Sequence, residues 1–126
     1  TADGKTIPFV GPDHIDAAAL ESFDYEGPVQ EIVTETSEFS AVCPYSGLPD
    51  FARLTIRYVP TARCVELKSL KYYVISYRNV GIFQEHATAR LAEDLFRLLA
   101  PRSLTVTTVY NVRGGFETTC SVTLPS

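Results

Sequence analysis

The stretch VQEIVTETSEFSAVCPYSGLPDFARLTIRYV, residues 29–59, decides the fold that we predict. Its two ends, 29–39 and 51–59, alternate apolar or β-branched residues with polar ones, which predicts two strands that each turn one face to a core. Turn-forming residues interrupt the alternation between them, namely Pro44, Ser46, Gly47 and Pro49. We therefore predict a pair of strands whose connecting loop holds Cys43 and Asp50 on an irregular, ligand-accessible backbone.

Apolar residues at helical spacing predict two helices beyond this pair. The first begins near Leu67 and ends at Gly81 or shortly before, although its middle, KYYVISY at 71–77, is rich in residues that also favour strands. The second helix covers 83–100 and has one apolar stripe, formed by Leu91, Leu95, Leu98 and Leu99.

Two alternating runs close the chain, SLTVTTVYNV at 103–112 and GFETTCSVTL at 115–124, and a Gly-Gly turn suits two antiparallel strands here. The resulting order ββααββ predicts an α+β domain over residues 29–126, an antiparallel sheet with two helices on one face. Residues 1–28 are predicted to form an N-terminal arm with a short helix-like piece over 13–23. Because so small a sheet leaves its edges uncovered, we expect a ring-forming oligomer.

Composition and charge exclude several classes of protein. The chain has 126 residues, 45 % of them apolar and 21 % charged, which is typical of one soluble globular domain. Its formal net charge of -4 gives no reason to expect direct binding to nucleic acid or to an anionic membrane. Residues 1–30 lack a signal-peptide pattern, so a cytoplasmic location is expected. Three cysteines without CxxC spacing argue against a disulfide framework and a cysteine zinc site, and no metal is expected.

Cys43 and Asp50 are the first candidates for catalysis. A thiol that follows a strand and precedes a Pro/Gly loop can be partly exposed and activated, as a nucleophilic cysteine requires. The alternative is a small buried hydrophobic side chain. Asp50, seven residues later, can accept or deliver a proton near the sulfur, or it can simply cap a turn. The residues alone leave both alternatives open.

Charged residues at the starts of the two helices are candidates for binding. Glu66, Lys68 and Lys71 open the first helix, where the two lysines share one face. They can hold a phosphate beside the helix start, or they can form an ordinary solvated face. Glu85, in the first turn of the second helix, can accept N–H groups from a purine-like ring edge, or the helix dipole alone can favour it there. His86 beside it can act as an acid or base, or be an ordinary titratable side chain.

The order and spacing of these residues resemble one family, the NADPH-dependent 7-cyano-7-deazaguanine reductases of queuosine biosynthesis (QueF), which are nitrile reductases. The resemblance covers about residues 20–116 and includes Cys43-Pro44, Pro49-Asp50-Phe51-Ala52 and Ser76-Tyr77-Arg78-Asn79. The run Glu66-Leu67-Lys68-Ser69-Leu70-Lys71 resembles the hallmark E-S/L-K-S/A-L-K of the family. Several motifs in the family's order are far more specific than one short pattern.

The resemblance implies a covalent mechanism. Cys43 matches the nucleophile that adds to the nitrile carbon of 7-cyano-7-deazaguanine (preQ0) to give a thioimide, and Asp50 matches the proton donor. Two hydride transfers from NADPH then give 7-aminomethyl-7-deazaguanine (preQ1), an intermediate of tRNA modification, and release the thiolate. The adduct divides a difficult four-electron reduction into easier steps.

The resemblance also implies binding residues. Val65, Glu66 and Leu67 match a segment that contacts the substrate, and Glu85 matches the carboxylate that reads the edge of its base. Gln84, the residue before Glu85, is also assigned to substrate binding. The remaining matched positions are assigned to NADPH: Lys68, Ser69, Lys71 and, for a phosphate, Arg113.

One position departs from the family pattern. Family members often carry His immediately before the substrate-binding Glu, whereas this chain has Gln84 before Glu85 and His86 after it. Gln84 can hold the substrate by hydrogen bonds but cannot relay a proton. Either His86 substitutes from the next helical position, or Asp50 works without a His partner, and we favour the second.

Assembly and two competing functions complete the expectations. Short members of the family look like tunnelling-fold (T-fold) proteins that assemble as rings, for example two stacked pentamers, with sites between subunits. One alternative function is an amidinotransferase that traps the thioimide with ammonia on a preQ0-type base; the retained ELKSLK run argues against it. The other is a non-catalytic ring protein that binds a purine or pterin, against which the intact Cys43 and Asp50 argue.

Overall fold

Six strands and two α-helices form the framework of residues 8–126, the part of the chain that the computed structural model describes. In chain order they are β1 (Ser22–Asp24), β2 (Ile32–Val42), β3 (Pro49–Val59), β4 (Arg63–Val65), α1 (Leu67–Ile75), α2 (Gln84–Leu99), β5 (Ser103–Tyr110) and β6 (Thr119–Leu124). Strands β2, β3, β5 and β6 form one antiparallel sheet in that order, and β1 pairs with β4. The main sheet and the helices follow the predicted order ββααββ.

One face of the main sheet forms the core. In β3 the inward side chains are buried, among them Leu54, Ile56 and Tyr58, whereas Phe51 and Arg53 on the other face are exposed. Helix α2 packs on β5 and β6, and α1 lies against β2. Burying a large apolar side chain contributes about 2 kcal/mol, so the alternation in the sequence selects this face for the core. The predicted α+β arrangement is confirmed.

A β-bulge in β2 changes which of its residues face the core. Thr36 pairs with Leu54 but Phe39 pairs with Ala52, so β2 uses three residues where β3 uses two. The extra residue moves the inward side from even to odd positions, and Phe39 becomes fully buried. The strand therefore continues past its predicted end at Phe39 and leads directly to Cys43.

Asp50 lies in a strand and not in the predicted loop, which is a correction to the sequence analysis. It is paired with Ala41 inside β3, and the ladder continues through Pro49. The loop therefore spans only the residues from Cys43 to Leu48. Pairing with β2 extends β3 back to Pro49. Proline is tolerated there because the first residue of a strand can lack its N–H group.

Both predicted helices are present, and the first is shorter than predicted. Helix α1 ends at Ile75, because tighter bonds follow, such as that from the Tyr77 N–H to the Val74 carbonyl (3.2 Å). The backbone then turns before Gly81 and enters α2, whose bounds agree with the prediction to within one residue.

The N-terminal segment packs on the sheet and helices, but it is not helical as predicted over 13–23. Two single 3₁₀ turns, Pro12–His14 and Ala17–Ala19, precede β1, and Ile15 and Leu20 are buried in the core. Three alanines in a row are compatible with a helix, but the segment is too short to sustain one without caps. Residues 1–7 of the predicted arm lie outside the described residues, and its boundary at residue 28 stays a prediction.

A buried polar network joins the two helices. Asp94 of α2 accepts hydrogen bonds from the Tyr73 hydroxyl (2.6 Å) and from Nε of Arg90 (2.7 Å). Its second oxygen lies 3.4 Å from a guanidinium nitrogen of Arg97, and Tyr73 shares a further hydrogen bond with Tyr77 (2.7 Å). Because the Asp94 side chain is only 3 % exposed, its carboxylate depends on these partners and not on water.

Replacement of Asp94 by alanine is expected to lower the free energy of unfolding by about 2–4 kcal/mol, because the Tyr73 hydroxyl and Arg90 lose their acceptor. Glu93→Ala is the matched control, since this neighbouring carboxylate is exposed and its loss should change stability by less than about 0.5 kcal/mol. Urea unfolding at equal protein concentration measures both variants. Equal unfolding midpoints would contradict the role given to Asp94.

Candidate active site

The Cys43 thiol lies at the rim of the sheet, in a short loop that is closed on itself. The Cys43 N–H donates to the Leu48 carbonyl (2.9 Å), and the Gly47 N–H donates to the Cys43 carbonyl (2.8 Å). Gly47 has a φ of 74°, a left-handed conformation that favours glycine. Because the backbone of the loop is fixed, the half-buried thiol is held in one place.

Hydrogen-bond donors around Cys43 favour its thiolate. Burial by itself raises the pKa of the thiol, but hydrogen bonds from the Ser46 hydroxyl and from the N–H groups of Ser46 and Tyr45 outweigh it. The nearby Asp50 carboxylate acts in the opposite direction, yet the pKa of Cys43 remains below its ordinary value. A larger thiolate fraction at neutral pH makes this cysteine a better nucleophile than an ordinary thiol.

Asp50 is buried next to the thiol and pairs with Arg113. The carboxylate belongs to a residue that is 4 % exposed, and a guanidinium nitrogen of Arg113 donates to its Oδ1. A second nitrogen of Arg113 donates to the Ser46 hydroxyl (3.2 Å), so one guanidinium bridges the carboxylate and the Cys43 loop. The hydrogen bond to Asp50 and the attraction of its charge raise the pKa of Arg113, which keeps the guanidinium charged.

Arg113 reaches this position from the connection between β5 and β6, residues 111–118, which is longer than the predicted Gly-Gly turn. Arg113 and Phe116 exchange two backbone hydrogen bonds (2.8 and 2.9 Å), and Gly114 and Gly115 between them have φ values of 57° and 86°. These left-handed conformations favour glycine and close the turn tightly. The turn thereby directs the Arg113 side chain across the end of β3.

The start of α2 lies at the same end of the sheet. The Val42 N–H donates to the Val80 carbonyl (2.8 Å), and the Ile82 N–H donates to the Val42 carbonyl (3.0 Å). This pairing ties the segment before α2 to the residue that precedes Cys43. The predicted substrate residues Gln84 and Glu85 are therefore brought to the Cys43 end of the molecule.

The side chains at the start of α2 differ in exposure. Glu85 and His86 are exposed, and Gln84 is partly buried. The His86 ring stands edge-on to Phe83, with ring centroids 6.3 Å apart. Thr88 fixes this turn of the helix, since its hydroxyl donates to the Gln84 carbonyl (2.9 Å) and also shares a hydrogen bond with Thr108 of β5 (2.7 Å).

Tyr110 is a further candidate for the site that the sequence analysis did not single out. It is 2 % exposed, and its hydroxyl has no hydrogen-bond partner among residues 8–126. Burial raises the pKa of the phenol, and the nearby Asp50 and Glu85 carboxylates raise it further, so the hydroxyl stays protonated and can donate a hydrogen bond. In the sequence Tyr110 is one more inward residue of an alternating strand, and nothing separates it from an ordinary core aromatic.

The segment Val65–Leu67 lies at the opposite end of the sheet from Cys43. The Val65 N–H donates to the hydroxyl of Tyr58 (3.1 Å), which stands near the far end of β3. Asp50 and Tyr58 are eight residues apart on one strand, or about 26 Å at the usual rise per residue. Within one chain the structure therefore does not bring this predicted substrate segment to Cys43 and Asp50.

The predicted cofactor residues begin α1 and have unequal access to solvent. Glu66 is the helix cap: its carboxylate accepts hydrogen bonds from the N–H groups of Lys68 (2.9 Å) and Ser69 (2.8 Å), which lower the pKa of Glu66. Ser69 is buried, and its hydroxyl accepts from the Glu21 N–H (2.9 Å). Lys68 and Lys71 are exposed and remain available to an anionic ligand.

Two open cavities adjoin this helix start. One, of about 510 Å³, is lined in part by Phe23, Tyr25, Tyr58, Val65, Glu66 and Leu67. The other, of about 280 Å³, is a groove between β2 and α1 whose lining includes Glu38, Leu70, Lys71, Val74 and Arg78.

Residues 8–126 contain no group of three His, Cys, Asp or Glu side chains arranged to hold a metal ion. None of the helices in the same part of the chain is both long and apolar enough to span a membrane.

Comparisons with known proteins place these residues in one family. A family model described as QueF-like protein matches residues 49–125. The NADPH-dependent 7-cyano-7-deazaguanine reductase of Thermotoga petrophila is 53 % identical over 119 residues, 94 % of this chain and 87 % of the relative. The protein of the same name from Caldicellulosiruptor bescii is 54 % identical over 110 residues, 86 % of this chain and 84 % of the relative.

A solved structure supports the fold. The archaeosine synthase QueF-Like in its apo form superposes with a TM-score of 0.67 over 78 % of this chain and 95 % of that chain, at 23 % identity. At this identity the likeness concerns the fold alone. The family model and the sequence identity to the two reductases together show that the chain belongs to the QueF family.

Proposed function

We propose that the protein is a nitrile reductase that converts preQ0 to preQ1 with two molecules of NADPH. The observation that carries the proposal is the Cys43 thiol with a lowered pKa beside the buried Asp50, in a chain 53 % identical to a protein named as such a reductase. A nucleophile and a proton-transfer group within one short segment are what addition to a nitrile requires.

Cys43 and Asp50 have complementary parts in the first step. Asp50 takes the thiol proton, the thiolate forms a C–S bond with the nitrile carbon, and Asp50 returns the proton to the nitrile nitrogen to give a neutral thioimide. NADPH, when bound, would supply two hydrides, one at a time, to this carbon. Once the carbon has gained the first hydride, the C–S bond would break and its electron pair would return to the Cys43 sulfur. The imine that is left would take the second hydride at carbon and a proton from solvent at nitrogen to become the amine.

The binding residues follow from exposure and position. The exposed Glu85 and the partly buried Gln84 lie at the Cys43 end, where a carboxylate and an amide can hold the N–H groups of a guanine-like edge. Lys68 and Lys71 suit the phosphates of NADPH because both are exposed at the start of a helix. The Ser69 hydroxyl is already bonded within the chain, so it would hold the cofactor only through its support of the helix start.

Proton transfer in this proposal depends on Asp50 and not on His86. Asp50 lies close enough to Cys43 to influence the pKa of its thiol, whereas the exposed His86 packs its ring edge-on to Phe83. We keep Asp50 as the group that acts without a histidine partner.

The complete site is proposed to form between subunits of a T-fold ring. Val65–Leu67 and Cys43 lie at opposite ends of the sheet, so a substrate that contacts both must lie between two chains. The edge strands β2 and β6 of the main sheet can pair with other chains, as ring assembly requires. A ring, for which two stacked pentamers are one arrangement, would repeat the same junction at every subunit.

Stoichiometry tests the proposed function. Purified protein is mixed with preQ0 and NADPH, nicotinamide absorbance is followed, and the product is identified by mass. We expect two NADPH consumed for each preQ1 formed. A product that requires ammonia and consumes no NADPH would support the amidinotransferase instead, and binding of preQ0 without either product would support a non-catalytic module.

A further inference from the structure

Arg113 makes contacts that a residue devoted to a cofactor phosphate would not need. Its guanidinium pairs with the buried carboxylate of Asp50 and hydrogen-bonds the Ser46 hydroxyl at 3.2 Å. The Arg113 side chain is 39 % exposed, whereas that of Asp50 is 4 % exposed. A buried carboxylate is stable as an ion only with such a partner, so the pairing is part of how this end of the fold is built.

The same contacts reach the Cys43 thiol through two routes. Ser46, which Arg113 holds, donates hydrogen bonds to Cys43 through both its hydroxyl and its N–H group. Asp50 carries a negative charge that disfavours the thiolate, and Arg113 offsets that charge. The pKa of Arg113 is raised mainly by Asp50 and, to a smaller degree, by Cys43, so the guanidinium interacts favourably with both groups.

We propose that Arg113 is a positioning residue that joins the β5–β6 connection to the Cys43 loop and, through Asp50 and Ser46, controls how readily Cys43 reacts. The consequence for nitrile addition rests on the proposed function, but the effect on thiol reactivity does not. A guanidinium suits this role better than an ammonium, because its planar fork can serve the carboxylate and the hydroxyl together.

Alkylation of Cys43 tests the inference without substrate or cofactor. The rate of labelling by iodoacetamide, followed for the Cys43 peptide by mass spectrometry over a range of pH, reports the thiolate fraction. In Arg113→Gln the rate near neutral pH is expected to fall about tenfold, which corresponds to one unit of thiol pKa. The difference from the wild type should vanish in alkaline solution, where both thiols are ionised.

Three further variants separate this role from a general loss of structure. Arg113→Lys keeps the charge and should restore part of the labelling rate. Arg53→Gln is the matched control, because Arg53 lies on the same strand as Asp50 but on its exposed face, and it should label like the wild type. In an Asp50→Asn background, Arg113→Gln should have a much smaller effect, since the charge that Arg113 offsets is gone.

Formation of the preQ0 adduct in the absence of NADPH distinguishes the two roles of Arg113. Slower adduct formation in Arg113→Gln, with the same pH dependence as the labelling, would support the inference. Wild-type labelling and adduct formation in this variant, with only the KM for NADPH increased, would overturn it and leave Arg113 as a cofactor residue. A third outcome is that Arg113→Gln slows labelling of Cys43 while even the wild-type protein forms no preQ0 adduct. This outcome would support the inference and contradict the proposed function.

Discussion

Cys43→Ala is expected to lose turnover by about 10⁴-fold or more and to form no covalent adduct with preQ0. In the proposed mechanism the Cys43 sulfur forms the bond to the nitrile carbon, and no other described residue supplies a thiol in the same loop. Without the adduct the hydride would have to reduce a free nitrile. For that reaction the site could only bind the substrate and supply a proton, without a covalent intermediate.

Cys120→Ala is the matched control for this loss. Cys120 is also free and half-buried, but it lies in β6, at the opposite edge of the main sheet from β2, which leads to Cys43. We expect this variant to keep the adduct and most of the turnover. Turnover of Cys43→Ala within tenfold of the wild type, measured as preQ1 formed per subunit, would contradict covalent catalysis by Cys43.

Two inactive variants are expected to restore activity to each other within one assembly. Cys43→Ala removes the nucleophile at one end of the sheet, whereas Lys68→Glu combined with Lys71→Glu reverses the charge at the start of α1, near the opposite end. If each site takes Cys43 from one chain and α1 from another, random mixing leaves about one quarter of the sites intact. The lysines are exposed, so their replacement should not prevent folding.

The experiment requires chains that are unfolded and refolded together, with native mass spectrometry to show that mixed oligomers form. The control mixture combines Cys43→Ala with Asp50→Asn. Both changes lie at the same end of the sheet, so every subunit lacks either Cys43 or Asp50 there. No site is then complete, and no activity should return. Absence of recovery in the first mixture, or equal recovery in both, would show that the site is not divided between subunits as proposed.

Most of the fold could be predicted from the local periodicity of apolar residues. The four strands of the main sheet, the two helices and the order ββααββ could be predicted because each of these elements buries one face, and a buried face imposes a period of two or of 3.6 residues on the sequence. The three-residue strands β1 and β4 are too short to show such a period and were not predicted. The bulge in β2 could not be predicted, since its single extra residue leaves no mark on composition. For the same reason the end of that strand was placed at Phe39 and not at Val42.

The contacts of the candidate site join distant parts of the chain, so the sequence indicated some of the site residues but not how they contact one another. Cys43 could be recognised as a thiol between a strand and a turn-rich loop. The burial of Asp50 and its pairing with Arg113 join residues 63 positions apart, and no local pattern records such a contact. The separation of Val65–Leu67 from Cys43 likewise emerges only when β3 is seen to span the whole sheet.

The measurement that tests the central claim most directly is the intact mass of the wild-type protein before and after NADPH is added. With preQ0 alone we predict an increase by the mass of one preQ0 per subunit, located on the Cys43 peptide. Addition of NADPH should remove this adduct while preQ1 appears and two NADPH are oxidised for each adduct lost. A protein that gains no mass with preQ0, or an adduct that persists in the presence of NADPH, would contradict nitrile reduction through Cys43.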